Sequence, residues 1–192
     1  MPITRDNKID NLAVLAVAEL MAASARTDPK GGGSDDTSTA ILTGKEKDEL
    51  ADAMELRQEK KGALAAVFKR DAEGVRKSQA VLLIGVRGTT PKKTRGGVSL
   101  NCGACGFDNC GSFVVAPKNR GEDFVGPNCI FEILDVGIAI GSAAKTAGLL
   151  NIDNRVMYTA GAAAMDLKIM DADVIIGIPL SATGKSPFFD RE

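Results

Sequence analysis

Residues Ala80–Val86 read Ala-Val-Leu-Leu-Ile-Gly-Val, the clearest strand signal in the chain. A short apolar run without polar alternation predicts a strand that is buried on both of its faces. A loop rich in Gly, Pro, Thr and Lys follows at residues 87–99. The strand is therefore expected to lie inside the molecule, with the loop leading out of it.

Upstream of this strand the pattern predicts one strand and three helices. Residues 37–43 are β-branched and short, which is typical of a strand. Thr43 and Glu46 have the spacing of a capping box, which predicts the start of a helix there. The helices are predicted over residues 9–25, 46–59 and 63–76.

Downstream, a further set of helices and strands follows the cysteine-containing segment. The elements are predicted as helices over residues 130–150 and 162–170 and strands over residues 155–159 and 173–178. Helices and strands alternate, so the fold class is α/β or α+β. A length of 192 residues fits a single domain, residues 1–192, with a cluster-binding module embedded at residues 101–131.

Composition excludes several kinds of function. The chain has no histidine, which removes Ser-His-Asp catalysis and histidine-ligated zinc. Its net charge of −1 and its lack of tryptophan argue against a nucleic-acid partner. No residue stands out as a general acid or base, so no catalytic residue is assigned.

The N-terminal residues and the lengths of the apolar runs indicate the cellular compartment to expect. The first ten residues are polar and lack the apolar region of a secretory signal. No apolar run approaches the length of a membrane span, so no membrane association is expected. We therefore expect a cytoplasmic protein, where closely spaced cysteines serve more often as metal ligands than as disulfides.

The four cysteines are Cys102, Cys105, Cys110 and Cys129, in the spacing C-x2-C-x4-C-x18-C. A cubane iron–sulfur cluster needs four thiolates, and a compact loop can supply three of them. Glycine follows three of the cysteines, at positions 103, 106 and 111. Glycine allows sharp turns with positive φ and lets peptide N–H groups approach the sulfurs. The pattern predicts one 4Fe-4S site.

Two observations from the surrounding sequence support this site. Cys129 directly precedes an apolar helix, and a thiolate is favoured at a helix N-terminus. Four phenylalanines are predicted to form an apolar shell around the cluster: Phe107, Phe113, Phe124 and Phe131. A structural zinc ion held by the four cysteines, or two disulfides, remain as alternatives to the cluster.

The cysteine pattern over residues 101–131 resembles the four-iron, four-sulfur module of corrinoid iron–sulfur proteins and of certain ferredoxin subunits. In that module all four cysteines bind one cluster. Ile130 departs from the proline that often follows the last cysteine, but that proline is not a ligand. The whole chain resembles a family described as containing a ferredoxin domain, which implies a role in electron transfer.

The flanks are similar to the flavin-dependent nitroreductase family, over residues 22–29, 39–43, 135–149 and 173–178. This resemblance implies a helix-flanked sheet and a homodimer with FMN at its interface. It also implies flavin-phosphate contacts by cations of the matching segments: Arg26, Lys30 and Lys185, with Arg191 in the same basic tail. The alternative is that these are solvated surface charges.

Three functional hypotheses follow from these patterns. The first is an iron–sulfur protein that transfers electrons to a redox partner protein or a small-molecule acceptor. The second is an FMN-dependent oxidoreductase that uses the cluster as an electron relay, and the third is a non-redox protein with structural zinc. Lys92, Lys93 and Arg95 form a basic patch before the cysteines, either a docking patch for an acidic partner or a solvated loop.

Overall fold

Every residue of Ala80–Val86 is buried in the computed structural model, which describes Ile3, residues 5–62 and residues 65–189. In chain order the elements are α1 (Asn7–Thr27), β1 (Thr37–Thr43), α2 (Gly44–Gln58), α3 (Ala65–Lys77), β2 (Ala80–Val86), α4 (Cys110–Val115), β3 (Asn119–Arg120), β4 (Val125–Gly126), α5 (Ile130–Leu149), β5 (Asp153–Asn154), α6 (Tyr158–Asp166) and β6 (Val174–Ser181). A 3-10 turn at Gly31–Gly33 joins α1 to β1.

The main sheet is antiparallel and has the strand order β1–β2–β6–β5. Val86 at the end of β2 lies opposite Thr37 of β1 and Val174 of β6. The four strands form an open sheet that is flanked by helices. This mixed architecture confirms the expected helix-flanked sheet, in its α+β form.

Alternate residues of β2 enter two separate cores, because successive strand side chains point to opposite faces. Val81 and Leu83 pack with α2, α3 and α6. Leu82 and Ile84 pack with α1 and α5 on the other face. The prediction that this strand is buried on both faces is therefore confirmed, and the sheet is the middle of three layers.

Helix α6 approaches strand β6 so closely that a side chain would not fit between them. A Cβ placed on Gly161 of α6 would lie 1.7 Å from the carbonyl oxygen of Ile175. A Cβ placed on Gly177 of β6 would lie 2.7 Å from the Cβ of Ala160. Glycine at these two positions therefore fixes the distance between the helix and the sheet.

We expect Gly161→Ala to lower the free energy of unfolding by about 1–3 kcal/mol or more, because the added methyl meets backbone rather than a movable side chain. Gly148→Ala on α5 is the matched control, since nothing lies within 4 Å of its Cβ position. This control should be neutral or stabilise by up to about 1 kcal/mol. Urea unfolding of both variants measures the difference, and equal stability of the two would contradict the close packing.

Three sequence-based expectations for local structure are wrong. Residues 155–159 do not form a strand, because only Met157 bridges Gly177 before α6 begins at Tyr158. The helix predicted over residues 162–170 accordingly begins and ends four residues earlier. Thr43 does precede α2, but its side chain makes no capping hydrogen bond.

Other expected elements agree with the structure to within a few residues. The strands predicted over residues 37–43 and 173–178 appear as β1 and β6. The first two residues of the helix predicted over 63–76 lie outside the described residues. Within the described part of the chain, no helix is long and apolar enough to cross a membrane.

Candidate metal centre

The cysteine-containing segment leaves the sheet at the end of β2 and returns to it at the start of α5. The return is fixed by a backbone hydrogen bond in which the Cys129 N–H donates to the Gly88 carbonyl at 2.7 Å. A Cβ on Gly88 would lie 2.1 Å from Asn128 Oδ1, so the two ends of the segment are in close contact. Chain folding therefore brings Cys129 back beside the residues that follow the central strand.

All four cysteines line one cavity. They are free thiols whose exposure decreases inward: Cys102 is exposed, Cys105 half-buried, and Cys110 and Cys129 buried. Apolar side chains supply much of the remaining wall: Pro91, Leu100, Phe113, Ile130 and Phe131. The fold thus brings together three cysteines of one loop and a fourth from a distant position in the sequence.

Local hydrogen bonds and turns shape the loop that carries the first three cysteines. Asn101 Oδ1 accepts from the Cys110 N–H at 2.9 Å, which closes the loop. Asn109 caps α4 by accepting from the Ser112 N–H at 2.9 Å. Gly103 and Gly106 have φ of 73° and 86°, the positive values expected from the sequence.

Gly111 and Phe124 do not take the positions expected for them. Gly111 lies inside α4 and is not among the residues with positive φ. Phe124 packs on Tyr158 in a different core, with 5.9 Å between ring centroids. Phe107 instead joins the cavity wall indirectly, through an edge-to-face contact with Phe113 at 5.6 Å.

Cys129 occupies the N-cap position of α5, as the sequence predicts. The backbone N–H of Lys92 donates to its sulfur at 3.5 Å. A peptide N–H and a helix N-terminus both stabilise negative charge on a thiolate. The environment of this sulfur is therefore suited to an anionic ligand.

The four sulfurs do not surround a single point. Among the described residues, no three cysteine, aspartate or glutamate side chains converge closely enough to hold one metal ion. The four cysteines nevertheless line the same cavity.

A buried ionic cluster lies beside this cavity. The Lys92 ammonium is 1% exposed and contacts Glu132 at 3.0 Å, Asp135 at 2.9 Å and Asp36 at 3.3 Å. Asp135 also accepts from the Gly31 N–H at 2.9 Å, which ties in the turn after α1. The sequence predicts Lys92 in a basic patch on a loop, but the carboxylates of α5 draw it inward instead.

In this ionic cluster a single ammonium group contacts three carboxyl groups, and this imbalance determines their protonation. Burial opposes the charge of Lys92, but hydrogen bonds to Asp135 and Glu132 outweigh it and raise the pKa of Lys92. Burial, with the charges of Asp36 and Asp135, raises the pKa of Glu132 to about 7, against the hydrogen bond from Lys92. Glu132 Oε1 is also buried without a hydrogen-bond partner among the described residues. Glu132 is therefore the carboxyl of this ionic cluster whose pKa lies near neutral pH.

The raised pKa of Glu132 predicts a pH-dependent stability. Between about pH 4.3 and the folded-state value the folded protein binds more protons than the unfolded chain, so stability falls as pH rises through this window. The Glu132→Gln variant lacks this loss. Its free energy of unfolding relative to that of the natural protein should therefore rise by up to about 3 kcal/mol between about pH 5 and pH 8. Urea unfolding at both pH values, with exposed Glu73→Gln as control, measures it. A pH-independent difference for Glu132→Gln would contradict the raised pKa.

A second ionic network holds the loop that follows α4. The Arg57 guanidinium contacts Asp166 at 2.5 and 2.8 Å and also pairs with Asp123. Asp123 accepts from the Tyr158 hydroxyl, and its pKa is lowered by Lys61, Tyr158 and Arg57 against the opposing effect of burial. These contacts join the loop to α2 and α6, which positions the chain for its return to Cys129.

Of the three cations expected at a flavin phosphate, the structure brings Arg26 and Lys30 together at Asp35 and places Lys185 elsewhere. Arg26 donates to the Thr37 carbonyl at 3.1 Å, at the start of β1. The Lys30 ammonium donates to carbonyls at the end of α1 and pairs with Asp28. Lys185 is exposed and follows β6, whose last residues align with the opposite end of β1. Arg191 lies outside the described residues.

The overall structure is nitroreductase-like. The nitroreductase CinD from Lactococcus lactis superposes with a TM-score of 0.55 at 14% identity, covering 95% of this chain and 81% of CinD. A nitroreductase-like protein from Bacillus cereus gives 0.53 at 8% identity, covering 100% and 93%. The FMN-dependent nitroreductase NfnB from Mycobacterium smegmatis gives 0.53 at 8% identity, covering 91% and 81%. At these identities the likeness shows the fold alone.

Sequence comparison assigns the family. A protein of Archaeoglobus fulgidus, described as an uncharacterized protein, is 47% identical over 189 residues, covering 98% of this chain and 97% of the relative. The model of a family described as an uncharacterized protein containing a ferredoxin domain matches residues 125–191, a stretch that includes Cys129. The chain belongs to this ferredoxin-domain family, and that membership points to a redox role.

Proposed function

We propose that the chain binds one 4Fe-4S cluster through Cys102, Cys105, Cys110 and Cys129 and transfers single electrons. The observation that carries this proposal is the shared cavity, which collects four free cysteines from two separate parts of the chain. We also propose that residues 101–131 act as a cluster-binding module within one domain, residues 1–192.

The donor set and the cavity wall fit such a cluster. A cubane places its thiolate ligands on four separate irons, whereas zinc requires four sulfurs at about 2.3 Å from one ion. The four cysteines of the cavity supply the four thiolates that a cubane requires. When bound, the cluster supplies one-electron chemistry, because its irons change oxidation state.

The residues around the cysteines determine how the group is held. Phe113, Ile130 and Phe131 exclude water from the inner wall of the cavity. The Lys92 N–H donates to Cys129 Sγ and so stabilises negative charge at that ligand. Burial and N–H donors are the means by which a protein adjusts a cluster's reduction potential.

Metal analysis of anaerobically purified protein tests the proposal. We expect a brown sample that bleaches with dithionite and contains iron and acid-labile sulfide at about four each per chain, the composition of a cubane. A colourless sample with about one zinc per chain would instead identify the structural zinc alternative and contradict electron transfer.

A second candidate function is an FMN-dependent oxidoreductase that uses the cluster as a relay. The observation in its favour is the nitroreductase-like fold, since NfnB is described as FMN-dependent. Arg26 and Lys30 both pair with Asp35, whereas Lys185 lies elsewhere, so a flavin site built from all three needs cations from two copies. Yellow flavin released on heating would support this function, and a flavin-free active protein would exclude it.

A homodimer is proposed on the basis of an exposed apolar face. Leu12 and Leu20 on α1 and Ile138 on α5 are each between 42% and 57% exposed, and the two helices pack together. Gly137 and Gly141 on α5 have nothing within 4 Å of their Cβ positions. Helical glycine costs about 1 kcal/mol relative to alanine, so close approach of a second copy would explain both residues.

We expect this face to hold the dimer through apolar burial. Ile138→Lys should convert a dimer to a monomer in sedimentation experiments, because burying an unpaired charge at an interface is unfavourable. Leu56→Lys, at a 60% exposed position on α2, should leave the dimer intact. A natural protein that sediments as a monomer would contradict the proposal.

A further inference from the structure

A short hairpin rises from the rim of the cysteine cavity. Lys93 and Ser99 pair as an antiparallel bridge, and the Thr94 N–H donates to the Val98 carbonyl at 3.0 Å. The residues that precede and follow it, Lys92 and Leu100, both line the cavity. Residues 93–99, the basic hairpin, are therefore attached to the cavity wall at both ends.

The charge of the chain is unevenly distributed around this hairpin. Residues 87–120 contain six of the 24 basic residues and one of the 25 acidic residues. This segment therefore has a net charge of +5, and the remainder of the chain has −6. The cysteines lie within or beside the positive part of an otherwise acidic molecule.

Among the described residues, the positive charges of this segment that have neither a salt bridge nor an aromatic contact are those of the hairpin. The charge of Lys92 is neutralised within the buried ionic cluster of Glu132 and Asp135. Arg87 pairs with Asp36, and Arg120 pairs with Asp166. Lys118 lies over the Phe113 ring at 3.7 Å. The remaining two, Lys93 and Arg95, are exposed and form no salt bridge within the described ranges.

The hairpin also lies close in sequence to the exposed cysteine of the cavity. Cys102 is the exposed cysteine, and only Asn101 separates it from Leu100 at the end of the hairpin. Val98 of the same hairpin is 64% exposed and offers a partner an apolar contact. A partner seated here would lie next to the outermost ligand, where electrons have the shortest path to the surface.

We infer that the basic hairpin is the docking surface for an acidic electron-transfer protein, with Lys93 and Arg95 as its charged contacts. This inference rests on the proposed function. One electron passes between the partner's redox group and the cluster, so one is oxidised as the other is reduced, and no bond or proton moves. Complementary charge accelerates the encounter and selects the partner.

Binding to two small haem proteins of opposite charge tests this surface. The probes are acidic cytochrome b5 and basic cytochrome c, titrated calorimetrically at an ionic strength of about 0.01 M, where screening extends over about 30 Å. We expect the natural protein to prefer cytochrome b5. Lys93→Glu with Arg95→Glu should weaken that binding at least about tenfold and strengthen binding of cytochrome c.

The control carries the same charge change elsewhere, Lys69→Glu with Lys77→Glu on α3, and should bind cytochrome b5 as the natural protein does. Undiminished binding by the hairpin variant, or equal loss in the control, overturns the docking surface. If the hairpin variant loses binding of the small anion ferricyanide but still binds cytochrome b5, the surface binds small anions. That result also overturns the docking surface. The visible absorbance of the iron–sulfur cluster is recorded on the same samples. Its absence would indicate failure of the proposed function, whereas its presence without the expected binding would indicate failure of the docking surface alone.

Discussion

Cys110→Ser should abolish or severely weaken incorporation of the iron–sulfur cluster. Cys110 is buried in the wall of the cavity at the start of α4, where its N–H is bound by Asn101. A serine hydroxyl is a poor substitute for a thiolate, and little solvent reaches this position to replace the missing ligand. Visible absorption of anaerobically purified protein, normalised to chain concentration, measures the loss.

The control for this variant is Ser112→Ala, in the same short helix. The Ser112 hydroxyl makes only a long contact with Asn109, at 3.4 Å, and Ser112 is not part of the cavity wall. Its spectrum should match that of the natural protein. An unchanged spectrum for Cys110→Ser would show that the thiolate is not a ligand.

Lys92→Met should be the most destabilising substitution near the site that leaves all four cysteines in place. It removes the ammonium that Glu132, Asp135 and Asp36 share and leaves the buried Glu132 and Asp135 without their counter-ion. Removing one partner of a buried ion pair typically costs about 3–5 kcal/mol. Urea unfolding should therefore show a loss of this size.

Two comparisons make the result specific. Lys93→Met changes the neighbouring exposed lysine and should alter stability by no more than about 0.5 kcal/mol. Adding Glu132→Gln to Lys92→Met should restore part of the loss, because a buried acid that has lost its counter-ion is replaced by a neutral amide. Equal stability of the Lys92→Met and Lys93→Met proteins would contradict the buried ionic cluster.

The parts of the fold that the sequence predicts are those with strong local signals. The uninterrupted apolar run of Ala80–Val86 and the β-branched run of Thr37–Thr43 fold as expected. Cys129 lies at a helix start, and Gly103 and Gly106 take positive φ, because turn chemistry acts within a few residues. Local pattern is sufficient where local interactions decide the conformation.

The parts that the sequence does not predict depend on contacts between distant residues. Lys92 and Lys93 are adjacent, yet one is buried and the other exposed, because only Lys92 reaches Glu132 and Asp135. The spacing of these two acids on an apolar helix is the signal that could have indicated a buried cation. Met157 similarly forms one bridge before a helix takes over, which no local propensity specifies.

Native mass spectrometry of the anaerobically isolated chain tests the central claim most directly, because it weighs the bound group. We expect a single bound species whose added mass equals four irons and four sulfides, and its loss in the Cys110→Ser protein. A chain that carries a single zinc ion instead, or that retains the full four-iron mass after Cys110→Ser, would contradict the assignment of Cys102, Cys105, Cys110 and Cys129 as the ligands of one cluster.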